Sequence, residues 1–182
     1  KRFINRKGPL RILVIGGSLG ATFFNNNLPN LFKLISKVKK ISVTHQSGVK
    51  NYKSLIENYG KVDFHLNVVN FVYDIEEKYE WADLVIARSG ALTVSELSQA
   101  GIASILVPYP FAVDNHQYLN AKILEERDAT IIVNQSEGVD KIFKVLKFFD
   151  RKKCKNMALN AQHKLEQKPS YEIFKFCQLI NK

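Results

Sequence analysis

The sequence predicts an α/β domain built on a doubly wound parallel sheet of about six strands, with helices following at the C-terminal end. Three observations predict it. Short apolar, β-branched runs alternate with longer stretches of helical period, the pattern of βαβ units. The run Leu84-Val85-Ile86-Ala87 has no polar alternation, which suits a strand covered on both faces. Gly16-Gly17, Ser47-Gly48, Ser89-Gly90 and Pro108 punctuate the runs where strands should hand over to helices.

The first strand spans 10–15, entered through Gly8-Pro9 and stopped by Gly16-Gly17. Helical spacing over 21–38 puts Phe24, Leu28, Leu31, Leu34 and Ile35 on a buried face, with Pro29 expected to kink the helix or reset its start. Strand 41–44 and helix 52–59 come next, then strand 62–69, helix 73–81 and strand 83–87. A helix over 91–100 should end at Gly101, a residue suited to the position just past a helix. Strand 102–107 stops at Pro108, and 115–127 is helical. Strand 129–133 and an amphipathic helix over 139–149 follow, and 152–182 reads as two helices broken near Pro169. This divides the chain into a short lead-in (1–9), the sheet domain (10–150) and a helical extension (151–182).

A length of 182 residues suits one domain, and a 46% hydrophobic content lets it bury a core rather than stay disordered. No run approaches 18 apolar residues, and no signal-type segment follows the basic Lys1-Arg2, so cytosol is the expected compartment. Cys154 and Cys177 lack metal or redox spacing and read as free thiols. A net charge of +10 draws polyanions, whether nucleic acid, anionic lipid or a diphosphate. The charge is spread along the chain with no nucleic-acid motif beside it, so no nucleic-acid partner is expected.

In an open parallel sheet, ligands sit at the carboxyl ends of the strands, so the loops there carry the chemistry. The first is Gly16-Gly17-Ser18-Leu19-Gly20-Ala21. Glycines admit a ligand close to the backbone, and a helix N-terminus offers N–H groups to phosphate. The loop departs from G-x-G-x-x-G, and no acid closes the second strand as a dinucleotide site would want; a plain tight turn is the other reading. The second is Arg88-Ser89-Gly90-Ala91-Leu92-Thr93-Val94-Ser95-Glu96. Leu92, Thr93 and Glu96 fall on adjacent faces of the helix it opens. Glu96 suits the vicinal hydroxyls of a ribose, or else serves the helix dipole. The third runs from Pro108 to Asn120. The amides and imidazole of His116, Gln117 and Asn120 match sugar hydroxyls, while Asp114 or Asn115 is alternatively a helix cap.

These stretches, with His45-Gln46-Ser47-Gly48 and Trp81-Ala82-Asp83, occur in order over nearly the whole chain and resemble the donor-binding domain of the MurG family. That family transfers N-acetylglucosamine from UDP-N-acetylglucosamine to a lipid-linked muramyl-pentapeptide, converting lipid I to lipid II in peptidoglycan biosynthesis. The resemblance implies the C-terminal Rossmann-like half of a GT-B glycosyltransferase. It puts Gly17 and Ser18 at the diphosphate, and backbone around Phe71, Val72 and Ile75 at the uracil. Ala91, Leu92 and Thr93 would lie beside phosphates and sugar, with Glu96 on the ribose. Gln117, with His116 and Asn120, would read the N-acetylglucosamine, and Arg88 would either neutralise phosphate or brace its loop.

The family has two such domains facing across a cleft, and this chain matches the second, so residues 1–9 correspond to the interdomain linker. The catalytic base and acceptor site are expected on the N-terminal domain, and this chain alone should bind donor but hardly transfer. The implied displacement needs no metal or cofactor: helix N-termini and hydroxyls would stabilise the leaving UDP, and no D-x-D motif occurs. The lipid acceptor implies peripheral contact with the cytoplasmic face of an anionic inner membrane. The basic, amphipathic stretch 141–149 suits that contact, or else packs its Phe and Leu on the core. A transferase of other sugar specificity and a non-catalytic nucleotide-sugar module are the competing readings.

Overall fold

A computed structural model describes residue 3 and residues 6–17 and 21–162. The expectations for Ser18, Leu19 and Gly20, for Cys177 and for a break near Pro169 lie outside the described residues.

The elements follow the alternating order: β1 (Leu10–Ile15), α1 (Thr22–Ser36), β2 (Ile41–Gln46), α2 (Tyr52–Tyr59), β3 (His65–Val69), α3 (Ile75–Trp81) and β4 (Leu84–Ala87). Then come α4 (Ala91–Ala100), β5 (Ala103–Leu106), α5 (His116–Glu125), β6 (Thr130–Ile132), α6 (Gly138–Lys147) and α7 (Arg151–Ala161). The strands are parallel and lie in the order β3-β2-β1-β4-β5-β6.

Alternate side chains of a strand point to opposite faces, so β1 sends Ile12 and Val14 into one apolar cluster and Leu13 and Ile15 into the other. Helices α1, α2 and α6 close the first cluster through Phe24, Tyr59 and Ile142. Helices α3, α4 and α5 close the second through Tyr79, Leu97 and Leu124. Both faces are therefore dry, which is why β4 reads as an unbroken apolar run. Helix α7, the described part of the expected extension, gives Cys154 and Met157 to the first cluster and Ala161 to the second.

Several expectations need correction. Leu34, assigned to the buried face of α1, is 52% exposed, because the helix turns Leu31 and Ile35 inward instead. Pro29 does not reset the start of α1 but stands inside it. A proline cannot donate to the carbonyl four residues back; that carbonyl, on Asn25, accepts from Asn58 Nδ2 of α2 at 3.1 Å. The third strand begins at His65, not at 62; Val62 and Phe64 precede it and pack on the first cluster. In the 141–149 stretch, Ile142, Leu146 and Phe149 are buried and Phe143 is partly so, which is the inward packing left open by the sequence. Lys141, Lys144, Lys147 and Phe148 face solvent.

Candidate functional site

The strand order reverses direction between β1 and β4, and a crevice at the carboxyl ends of a parallel sheet opens at such a point. Here it is a cleft of about 600 Å³ whose walls include Gly17, Thr22, Arg88, Thr93, Tyr109 and Gln117.

Two helices begin at this cleft without a capping side chain. Helix α4 starts after Gly90, has no side-chain cap and carries no acid in its first turn. Its first amide with a partner inside the helix is Val94 N, 3.0 Å from Gly90 O, so the N–H groups of Ala91, Leu92 and Thr93 have no carbonyl within the helix. Helix α1 starts after Ala21 in the same way, uncapped and without a first-turn acid. Helix α7, at the other end of the sheet, is capped by Asp150, whose Oδ1 accepts from Lys153 N at 2.7 Å. Uncapped amides and two helix dipoles thus converge on one crevice, an arrangement that favours an anion.

Gly17 adopts φ +81°, the left-handed region open to glycine. Its carbonyl accepts from Gln46 Nε2 at 2.7 Å, while Gln46 Oε1 accepts from Val72 N at 3.0 Å. One amide at the end of β2 therefore joins the loop after β1 to the loop after β3. In a dinucleotide fold that position holds a carboxylate for a ribose; here it holds an amide engaged with two backbone groups. Val72 has its N–H committed, so its carbonyl is the backbone group it has left to offer. Sequence reasoning quoted Gln46 within a matching stretch but gave it no role. Its position at the carboxyl end of a strand was the signal.

Arg88 braces its loop while lining the cleft. Nη1 donates to the carbonyls of Val107 at 3.0 Å and Pro108 at 3.1 Å, and Nη2 to Gln135 Oε1 at 2.7 Å. The guanidinium also lies 5.1 Å from the Phe24 ring centroid and 5.5 Å from that of Tyr109. Burial lowers its pKa, although it remains a cleft wall. It binds the loop after β4 to the ends of β5 and β6. Gln135 and Tyr109, which line the cleft beside it, were not singled out from the sequence.

In the third loop, Asp114 and Asn115 both take left-handed backbone (φ +48° and +57°), and Asn115 precedes α5 without forming a side-chain cap. The cap reading therefore fails for this pair. His116 donates from Nδ1 to Val113 O at 2.7 Å and is exposed. Gln117 lines the cleft and accepts at Oε1 from Tyr109 N at 2.9 Å, which leaves its NH₂ group as the donor on offer. Asn120 Nδ2 donates to Ser89 O at 3.2 Å and ties α5 to the loop after β4. The amide of Gln117, rather than the imidazole of His116, forms part of the cleft wall.

Glu96 does not line that cleft. It sits one helical turn beyond Leu92, in a neighbouring groove of about 550 Å³ between α3 and α4, with Ile75, Glu76, Tyr79 and Leu92. Thr93 faces the cleft and Leu92, 73% exposed, faces the groove, so the first turn of α4 is the ridge between the two. Glu96 Oε2 accepts from Tyr79 OH at 2.9 Å. Tyr79 was not singled out from the sequence: it and Glu96 stand on different helices, 17 residues apart, and no local pattern joins them. Burial first, and then the Glu96 charge, raise the pKa of the Tyr79 phenol.

Comparison with known proteins bears on the family and the fold. Residues 11–174 match the glycosyltransferase family 28 C-terminal domain. Among curated relatives, the UDP-N-acetylglucosamine–N-acetylmuramyl-(pentapeptide) pyrophosphoryl-undecaprenol N-acetylglucosamine transferase of Wigglesworthia glossinidia brevipalpis is 48% identical over 166 residues, covering 90% of this chain and 45% of the relative. The protein of the same name from Dechloromonas aromatica (strain RCB) is 40% identical over 182 residues, covering 100% of this chain and 52% of the relative. The chain thus spans about half the length of the curated relatives it matches. Among solved structures, MurG of Acinetobacter baumannii superposes with a TM-score of 0.83 at 34% identity, covering 95% of this chain and 50% of that one. The glycosyltransferase VinC, solved with dTDP, superposes at 0.66 with 15% identity over 97% of this chain and 42% of its own, a likeness of fold alone. The chain belongs to glycosyltransferase family 28, as its C-terminal domain, with the GT-B arrangement of strands.

Proposed function

We propose that this chain is the donor-binding domain of a transferase that moves N-acetylglucosamine from UDP-N-acetylglucosamine to a lipid-linked muramyl-pentapeptide. The observation that carries the reading is the pair of uncapped helix N-termini, α1 and α4, meeting at the switch-point cleft beside a second groove that holds Glu96. A nucleoside diphosphate sugar divides in the same way. Its diphosphate would lie at the first turns of α1 and α4, by Gly17, Ala91, Leu92 and Thr93, with Ser18 beside it. The uridine would occupy the α3–α4 groove, with its ring near Val72 and its ribose diol on Glu96. The sugar would extend into the cleft toward Gln117, flanked by His116 and Asn120. Leaving-group charge on UDP would then fall on preorganised N–H groups.

The relatives' shared name supports the choice of donor and acceptor. We place the acceptor on the part of the relatives' length that this chain does not span. Calorimetric titration with UDP-N-acetylglucosamine, UDP-N-acetylgalactosamine and NADH tests the reading: saturable binding selective for the first is expected, and equal or preferential binding of NADH overturns it. Within the site, Glu96→Gln should keep the fold and weaken UDP binding by about 1–3 kcal/mol, the range for a hydrogen bond to a charged group. Unchanged affinity removes Glu96 from the site.

Peripheral contact with an anionic membrane, on the cytoplasmic face of the inner membrane, belongs to the same proposal. Its support has moved from the apolar face of α6, which packs inward, to the rim where the ends of α1 and α6 meet. There Val38 (60% exposed) and Phe148 (73%) stand among the exposed Lys37, Lys40 and Lys147. Lys39 holds the two ends together by donating to Leu146 O at 3.1 Å and to Lys147 O at 3.0 Å. Basic residues around a protruding aromatic suit an anionic headgroup layer. Flotation with phosphatidylglycerol vesicles at low salt should carry the chain upward, and a chain left in the lower fraction counts against the contact.

A further inference from the structure

We infer that Tyr79 is a positioning residue for nucleotide recognition: it holds one oxygen of Glu96 so that the carboxylate is presented, pre-oriented, to the vicinal hydroxyls of a ribose. The inference rests on the reading of Glu96 given above.

A glutamate side chain has three rotatable bonds, and a carboxylate that must grip two hydroxyls loses that freedom on binding. The structure removes part of it in advance. Tyr79 OH donates to Glu96 Oε2 at 2.9 Å, and the phenol has little freedom of its own. Its ring is 4% exposed and belongs to the apolar cluster that includes Ala82, Val85, Val94 and Leu97. Helix α3 thus supplies a rigid post, and α4 supplies the carboxylate leaning on it.

An ionised carboxylate only accepts, with two oxygens and about four lone-pair sites. One site on Oε2 goes to the phenol; Oε1 and the rest of Oε2 remain for a diol, both hydroxyls of which are donors. The partner must therefore keep its proton, which a phenol does at neutral pH, and burial pushes that of Tyr79 further up. Leu92 and Ile75 line the same groove and supply the apolar wall against which a base can lie.

The test compares UDP with 2′,3′-dideoxy-UDP, which lacks the diol, in calorimetric titrations of the full chain. Tyr79→Phe deletes one oxygen and keeps the ring. It should weaken UDP binding about five- to ten-fold, the scale of one charge-assisted hydrogen bond partly lost, and leave dideoxy-UDP binding unchanged. Equal losses for both ligands, or no loss for UDP, overturn the inference, since a merely structural tyrosine would not distinguish them. Glu96→Ala separates this failure from that of the underlying reading. If it abolishes the preference for UDP over dideoxy-UDP while Tyr79→Phe does not reduce it, only the role of Tyr79 falls. If Glu96→Ala preserves the preference, the assignment of Glu96 falls and the inference with it. Should the phenylalanine variant fail to fold, 3-fluorotyrosine at position 79 keeps the packing. Its fluorine resonance should shift with UDP and stay put with dideoxy-UDP; an unmoved resonance with UDP overturns the inference.

Discussion

His45 is fully buried near the end of β2, its Nδ1 bonded to Tyr59 OH at 2.8 Å and its Nε2 without a partner among the described residues. Burial disfavours the charged imidazolium and lowers its pKa from 6.5 to about 3. The folded chain therefore keeps His45 neutral where an unfolded chain would already protonate it. Its contribution to stability is fully present above pH 6.5 and is lost as the pH falls from there toward 3, by up to roughly 1.4 kcal/mol per pH unit. Urea midpoints measured from pH 7 to pH 4 should fall more steeply for this chain than for His45→Gln, which cannot titrate; parallel slopes would count against it. At this scale the sequence was informative where a residue's job is local. Gly101 was expected just past the end of α4 and takes the left-handed backbone of that position, φ +58°. It was silent where the job is a long-range bond, as with Gln46 to Gly17 and Val72 or Tyr79 to Glu96. Arg88 lay between the two: the residue was visible, but its engagement with Val107, Pro108 and Gln135 was not.

Elements were most legible where punctuation sits at both ends. Helix α4 is held between Gly90 and Gly101, and α2 ends at Gly60, and both span the expected ranges, 91–100 and 52–59. Strand β3 was less legible because an apolar run reports burial, whereas a strand needs backbone partners. Val62 and Phe64 pack on the core before the ladder to β2 begins at His65. Helix α1 shows how a breaker is absorbed. Pro29 leaves the Asn25 carbonyl without its helical donor, and Asn58 Nδ2 supplies one from α2, while Asn25 Nδ2 reaches Ser47 O at 2.9 Å. Asn58→Ala should therefore cost about 1–3 kcal/mol, the penalty for a buried acceptor left unmade. In a Pro29→Ala background the helix regains its own N–H, so the same substitution should cost clearly less. A double-mutant cycle in urea measures the difference, and equal costs in both backgrounds would mean that Asn58 does not compensate for the proline.

The whole molecule separates a binding end from a stapled end. The order β3-β2-β1-β4-β5-β6 depends on pairings between distant strands, which no local window reports; the alternation of runs supplied the strands and their doubly wound parallel arrangement, but not this order. At the carboxyl ends lie the uncapped helices, the left-handed Asp114 and Asn115, and the exposed Tyr109 and Phe111. At the amino ends, Asp83 is fully buried and accepts from Arg6 Nη1 at 2.9 Å, Arg151 Nε at 3.2 Å and Arg11 N at 3.0 Å. One carboxylate thus joins the segment before β1, β1 itself, the start of β4 and the start of α7. Arg6 extends the staple to the carbonyls of Glu80 at 2.8 Å and Trp81 at 3.0 Å. Removing one partner of a buried ion pair strands the others in a low-dielectric site and typically costs about 3–5 kcal/mol. Asp83→Ala should lower stability by that amount, because two guanidinium groups lose their counter-charge together. Since the staple stands at the far end of the sheet from the cleft, UDP affinity of the folded fraction should not change. Chemical denaturation and calorimetry on the same preparation read the two quantities separately. A loss of affinity matching the loss of stability would show that the two ends are coupled through the sheet.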